Sequence, residues 1–146
     1  GAVDEIINNS KITPYFGENL KSSFIKCIID NNDHDTGVTN LKFDGGSITT
    51  TILKKTVGSS LRVRIRAQDI AISIEQPQDI SIANIIEVMI QTIEPSGEGF
   101  VDLSLIAKNT VFWARLTKTS VTNLKLTPGR VVYALFKSTA IEVLGH

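Results

Sequence analysis

The chain repeats itself, and this constrains its fold more than any other feature of its 146 residues. Ile25-Lys26-Cys27-Ile28-Ile29-Asp30 parallels Ile86-Glu87-Val88-Met89-Ile90-Gln91 at an offset of 61. The stretch from Arg64 to Ile72 parallels that from Leu135 to Val143 at an offset of 71, because the second copy carries a longer segment through Thr119–Pro128. A copy of about 65 residues closes a stable core poorly by itself, so the two must pack on each other. The boundaries that follow are a first copy over 20–74, a polar linker over 75–79 (Glu-Gln-Pro-Gln-Asp) and a second copy over 80–146.

Each copy reads as strand, hairpin, strand, short helical turn, strand, sharp corner, strand. Turn residues recur at the eight-to-twelve-residue spacing of barrels and sandwiches. Asp44-Gly45-Gly46 divides Val38–Phe43 from Ile48–Ile52, a hairpin signal. Ser96-Gly97-Glu98-Gly99 divides a strand over 87–93 from Phe100–Leu105, in which Phe100, Asp102 and Ser104 alternate with Val101, Leu103 and Leu105. Pro128-Gly129 precedes the strand Val131–Phe136. Helical turns are expected only near Leu53–Val57 and Lys118–Leu124. The fold class is therefore all-β.

Composition removes several functions. The 15 basic and 15 acidic side chains cancel, and neither half of the chain is polarised. A nucleic-acid binder ordinarily carries a basic surplus, and an oligonucleotide groove needs interleaved aromatics, whereas this chain has one Trp and two Tyr. No apolar run approaches the roughly 20 residues of a membrane helix. Cys27, the one cysteine, lies in an apolar strand and reads as a buried thiol. No phosphate-binding Gly-x-x-x-x-Gly-Lys-Ser/Thr loop occurs, and no carboxylate pair or Cys–His pair has catalytic spacing. His34, within Asn31-Asn32-Asp33-His34-Asp35, reads as a hairpin tip before it reads as a metal ligand. No enzyme, metal or cofactor is expected, and the absence of a secretory signal favours a cytoplasmic setting.

Three motifs then carry a resemblance. They are Ser81-Ile82-Ala83-Asn84 at the first strand of the second copy, Leu116-Thr117-Lys118-Thr119-Ser120 at its helical turn, and Pro128-Gly129 through Lys137-Ser138-Thr139. In this order, and twice repeated, they resemble the Mop (molbindin) domain, a five-stranded barrel of OB-like character. The tandem resembles the paired Mop domains, of the wider TOBE class, that follow the ATPase domain of bacterial molybdate importers. The likeness covers about 20–144, and Gly1–Ile7 looks like the last segment of such an ATPase domain. It implies a molybdate- or tungstate-binding regulatory tail, expected as a homodimer. Its further partners would be the parent ATPase domain and the importer's membrane subunits, at the inner face of the membrane.

The residues also suit an oxyanion on physical grounds. A tetrahedral dianion of low charge density is held by many neutral donors, and backbone amides at turns supply them. Thr117 and Ser120, three apart, place two hydroxyls on one side of a helix's first turn, where Thr117 is equally an N-cap; the roles are compatible. The resemblance adds Ser81, Ile82, Ala83 and Asn84 as a run of amides, with Lys137 and Ser138 as cation and donor. Related domains commonly carry Arg where this chain has Ala83, so one charge-assisted bond is missing. The first copy has Ser22-Ser23 in place of Ala83-Asn84, Thr56 near the place of Ser120, and Arg66-Ala67 in place of Lys137-Ser138. These form a possible second site, or complete the first. The strongest rival is a TOBE tail of a sugar, polyamine or iron importer that makes subunit contacts and binds no oxyanion.

Overall fold

The computed structural model of the protein describes residues 21–144. The expectation that 1–19, beginning with Gly1–Ile7, is the end of an ATPase domain and a linker lies outside the described residues.

Among the described residues, ten strands form two five-stranded antiparallel sheets. In the first copy they are β1 (Ser22–Asp33), β2 (Val38–Phe43), β3 (Gly46–Thr51), β4 (Ser60–Arg66) and β5 (Ala71–Ser73). In the second copy they are β6 (Asn84–Pro95), β7 (Phe100–Ala107), β8 (Thr110–Thr117), β9 (Val131–Phe136) and β10 (Glu142–Leu144). The single α-helix among the described residues, α1, is Lys118–Leu124.

The copies exchange their last strands. One sheet runs β10-β4-β1-β2-β3 and the other β5-β9-β6-β7-β8, so each sheet is completed by three residues from the other repeat. The chain leaves β4 and β9 through equivalent 3-10 turns, Ala67–Asp69 and Ser138–Ala140, and these corners carry it across. The repeat offsets are visible in single hydrogen bonds. Gly58 N–H donates to Ile29 O at 2.8 Å and Gly129 N–H to Ile90 O at 2.7 Å. Both glycines have φ +91°, which side chains disfavour. Ladder register shifts at the same place in β1 and β6, after Ile29 and after Ile90.

Alternation builds the interior. Ile25, Cys27 and Ile29 of β1 and Ile86, Val88 and Ile90 of β6 are buried, while Phe24, Lys26, Ile28, Glu87 and Met89 face outward. One core spans both repeats: Phe43 meets Phe112 edge-on at 5.7 Å, and Phe112 meets Phe136 at 6.0 Å. Hairpin tips interlock beside it. Asn109 Nδ2 donates to Asp44 Oδ2 at 3.0 Å, and a Cβ at Gly45 would lie 2.5 Å from Ala107 O.

One expectation needs correction. No helical turn forms over Leu53–Val57, which bends instead. Its backbone is bonded elsewhere: Leu53 N–H donates to Thr39 Oγ1 at 2.9 Å and Lys55 O accepts from Asn32 Nδ2 at 2.9 Å. Leu53 also stands where a capping hydroxyl would be needed. Both faces of β7 are covered in its middle, where Asp102 and Ser104 are buried as well as Val101, Leu103 and Leu105. Arg115 binds Asp102 through Nε–Oδ1 at 3.0 Å and Nη2–Oδ2 at 3.3 Å, and Ser104 Oγ lies 2.6 Å from Thr92 Oγ1.

Cys27 is buried, and burial pushes its thiol up to about 12. His34 sits in an exposed turn whose Asp33 side chain accepts from Asp35 N–H and Thr36 N–H at 3.1 and 3.2 Å. Those bonds, chiefly from Thr36, hold the Asp33 carboxyl below its usual range.

Candidate functional site

The exchange creates two pseudo-equivalent corners, each where a 3-10 turn of one repeat lies against a strand of the other. The Ser138–Ala140 turn packs on β3, and the Ala67–Asp69 turn packs on β8.

At the first corner Lys137 closes β9 in an extended conformation (φ −75°, ψ 152°) and Ser138 opens the turn. Lys137 and Ile82 line one cleft of about 440 Å³ with Thr139, Gln68 and Asp69. Ser81 and Ala83 lie exposed beside it on the approach to β6. Asn84 is engaged otherwise. It is buried, its Oδ1 accepts from Thr49 N–H at 2.8 Å, and its Nδ2 donates to Thr49 O at 2.9 Å. Its carboxamide therefore fastens repeat to repeat, which leaves only its backbone for a ligand. Thr56 follows β3 in the chain and is exposed.

At the second corner Arg66 is exposed and pairs in register with Ser22. Ala67 is buried and its N–H donates to Lys21 O at 2.9 Å. Ser23 Oγ accepts from Trp113 N–H at 2.9 Å, the counterpart of the Asn84 bond. Lys21 Nζ lies 4.2 Å from the centre of the Trp113 ring. The Ser22 hydroxyl accepts from Arg64 Nε at 3.0 Å, while Arg64 Nη1 binds Glu142 at 3.0 Å.

Thr117 and Ser120 stand at the end of β8, the strand this second corner packs against. Thr117 caps α1: its Oγ1 accepts from Ser120 N–H at 3.1 Å and donates to Ser120 Oγ at 3.0 Å. The helix stops at Lys125, which is left-handed at φ 55° and bonds back to Thr122 O. With the Thr117 proton committed, the Ser120 hydroxyl is the donor this pair offers.

The residues read from the second copy as one set are thus divided. Ser81, Ile82, Ala83, Asn84, Lys137 and Ser138 belong to the corner facing β3. Thr117 ends β8, the strand that the Ala67–Asp69 turn packs on, and Ser120 lies beyond it in α1. Sequence reading missed Lys21, Gln68, Asp69 and Trp113. Only Lys21, adjacent to Ser22-Ser23, left a signal there, because the others reach the corners through the strand exchange.

Residues 80–143 match the TOBE domain family. Beyond that TOBE stretch, the chain is 30% identical over 141 residues to the molybdenum import ATP-binding protein ModC of Paramagnetospirillum magneticum, spanning 97% of this chain and 39% of that protein. The ModC protein of Granulibacter bethesdensis is 30% identical, spanning 99% and 41%. That of Escherichia coli K12 is 26% identical, spanning 97% and 40%. The chain therefore spans about two fifths of the length of the curated relatives it matches. A solved structure of the cytoplasmic molybdate-binding protein ModG, with molybdate bound, superposes with a TM-score of 0.74 at 18% identity, covering 82% of this chain and 93% of that one. The TOBE and Mop resemblance read from the motifs is borne out, as is the all-β tandem of OB-like repeats.

Proposed function

We propose that this chain is the oxyanion-binding regulatory tail of a molybdate importer's ATPase subunit, taking molybdate or tungstate at the corners between its two repeats. One observation carries the reading: the relatives matched over nearly all of this chain, along about two fifths of their own length, are named as molybdenum import ATP-binding proteins, and the same fold is seen elsewhere with molybdate bound.

The chemistry supports it. Each corner combines a short turn, a cation (Lys137 or Arg66) and serine hydroxyls, with no excess of protein charge to desolvate. Anion binding there would tie one repeat to the other, and through them the subunits of a homodimer whose parent ATPase domain and membrane partners lie at the cytoplasmic face. For that to regulate transport, the anion must favour one arrangement of the subunits over another.

The contact-module reading, in which no oxyanion binds, draws on Ala83 and on the engagement of Asn84 with Thr49. Equilibrium dialysis against molybdate, with bound metal counted per chain, separates the two. Retention of stoichiometric molybdate supports the oxyanion tail, and retention of none leaves the contact module.

A further inference from the structure

The outward faces of the two sheets match position for position and differ in charge. On the first, Lys26 of β1 faces Arg62 of β4, and Ile28 stands between Ser60 of β4 and Lys42 of β2. On the second, Glu87 of β6 faces Tyr133 of β9, and Met89 stands between Val131 of β9 and Ile106 of β7. Lys26 and Glu87 are related by the repeat offset of 61, as are Ile28 and Met89. Three cations of the first face are thus replaced on the second by a carboxylate, an aromatic and an aliphatic side chain. The first face also carries Arg64 and Arg66, against two carboxylates. Those are Asp30, 3.5 Å from Lys42, and Glu142, 3.0 Å from Arg64. A chain of zero net charge has gathered a positive excess on one sheet.

Both faces also leave apolar side chains in water. Phe24 and Ile28 are 55% and 52% exposed on the first, and Met89 and Val131 are 41% and 50% exposed on the second. Apolar groups exposed together within a polar rim mark a protein contact. On the first face Lys26, Ile28, Lys42 and Arg62 line an open cleft of about 580 Å³.

We infer that a second copy of this chain docks here, its second-repeat face against the first-repeat face, with Met89 entering the cleft and Glu87 meeting Lys26. The charges choose this pairing. Two first-repeat faces brought together oppose like cations, and two second-repeat faces oppose one Glu87 to another. First on second joins opposite charges and sets apolar against apolar. An unbranched methionine also adapts to an irregular cleft. The contact supplies the homodimer of the functional reading above, and the inference rests on that reading.

Sedimentation equilibrium in molybdate-free buffer tests it, on wild type, Lys26→Glu, Glu87→Lys and the chain carrying both changes. The wild-type mass rises with concentration above that of one chain. Either single change turns an attraction into a repulsion and weakens association by on the order of tenfold, and the combined change restores it. A wild type that stays monomeric overturns the inference. So does association that ignores the single changes, or that the combined change fails to restore. Carbodiimide, which joins an amine to a carboxylate in contact with it, needs no variant. A Lys26–Glu87 link in the two-chain product supports the contact, and a two-chain product linked only elsewhere overturns it. Molybdate dialysis of the same samples tests the oxyanion separately. Molybdate retained by a chain that never associates leaves the oxyanion reading standing and removes only this contact. Association that follows the charge changes, with no molybdate retained, keeps the contact and removes the oxyanion.

Discussion

The carboxamide of Asn84 makes both hydrogen bonds that a neighbouring strand would make to Thr49, accepting from its N–H at 2.8 Å and donating to its carbonyl at 2.9 Å. β3 is an edge strand bonded on its other side only to β2, so one side chain of the second repeat stands in for a missing strand. The same device recurs more weakly at β8, the edge of the other sheet, where Ser23 accepts from Trp113 N–H. The tandem is thus closed by strand exchange at one margin of each sheet and by a side-chain clasp at the other.

Asn84→Ala removes both bonds and leaves two partly buried backbone groups of Thr49 without partners. A loss of about 2–4 kcal/mol in urea unfolding is expected, from about 1–3 kcal/mol for each unsatisfied group less relief by water. Asn84→Asp fares little better, since a carboxylate can accept from Thr49 N–H but repels its carbonyl. The stabilisation conferred by molybdate should survive in whatever fraction of either variant remains folded.

Thr117→Val removes the cap of α1 and is expected to cost about 1 kcal/mol without any anion, whereas Thr117→Ser keeps the cap. Ser120→Ala leaves the Thr117 bond to the backbone in place and should lower only the anion-induced rise in Tm. Thermal unfolding with and without molybdate distinguishes the two effects.

Arg115→Met strands the buried carboxylate of Asp102 and is expected to destabilise by about 3–5 kcal/mol in denaturant unfolding. The double change to Asp102→Leu with Arg115→Met should recover much of that loss, because breaking a buried pair costs more than replacing it.

Cys27 gives a dependence on alkaline pH. Its thiol is pushed from 9.0 to about 12 by burial, so the unfolded chain sheds this proton first. Its contribution to stability is therefore full below pH 9 and is lost as pH rises from there towards 12. Urea midpoints measured across that window should fall for wild type and fall less for Cys27→Ala. A thiol reagent at pH 8 should label Cys27 only at the rate of unfolding.

Much of this fold is legible in the sequence because its signals are local. The period-two alternation of β1 and β6, the Asp44-Gly45 and Pro128-Gly129 turns and the Thr117 cap each depend on neighbours a few residues away. The strand exchange is not legible, since three-residue strands such as Ala71–Ser73 carry no pattern that names their partner sheet. The alternation of β7 does not show that Asp102 is buried, because its partner Arg115 comes from β8. The candidate site suffers most from this distance. Asn84 resembles a ligand until Thr49, 35 residues away, claims its side chain. Asp69 has no evident relation to Lys137 until β5 pairs with β9.

Calorimetric titration with molybdate, tungstate and sulfate tests the central claim most directly. A corner lined by amides, hydroxyls and one or two cations should hold molybdate and tungstate alike, since their charge and shape match, and the smaller sulfate more weakly. Binding of sulfate equal to or tighter than molybdate, or no heat from any of the three, would contradict the reading of this tail as a molybdate-binding module.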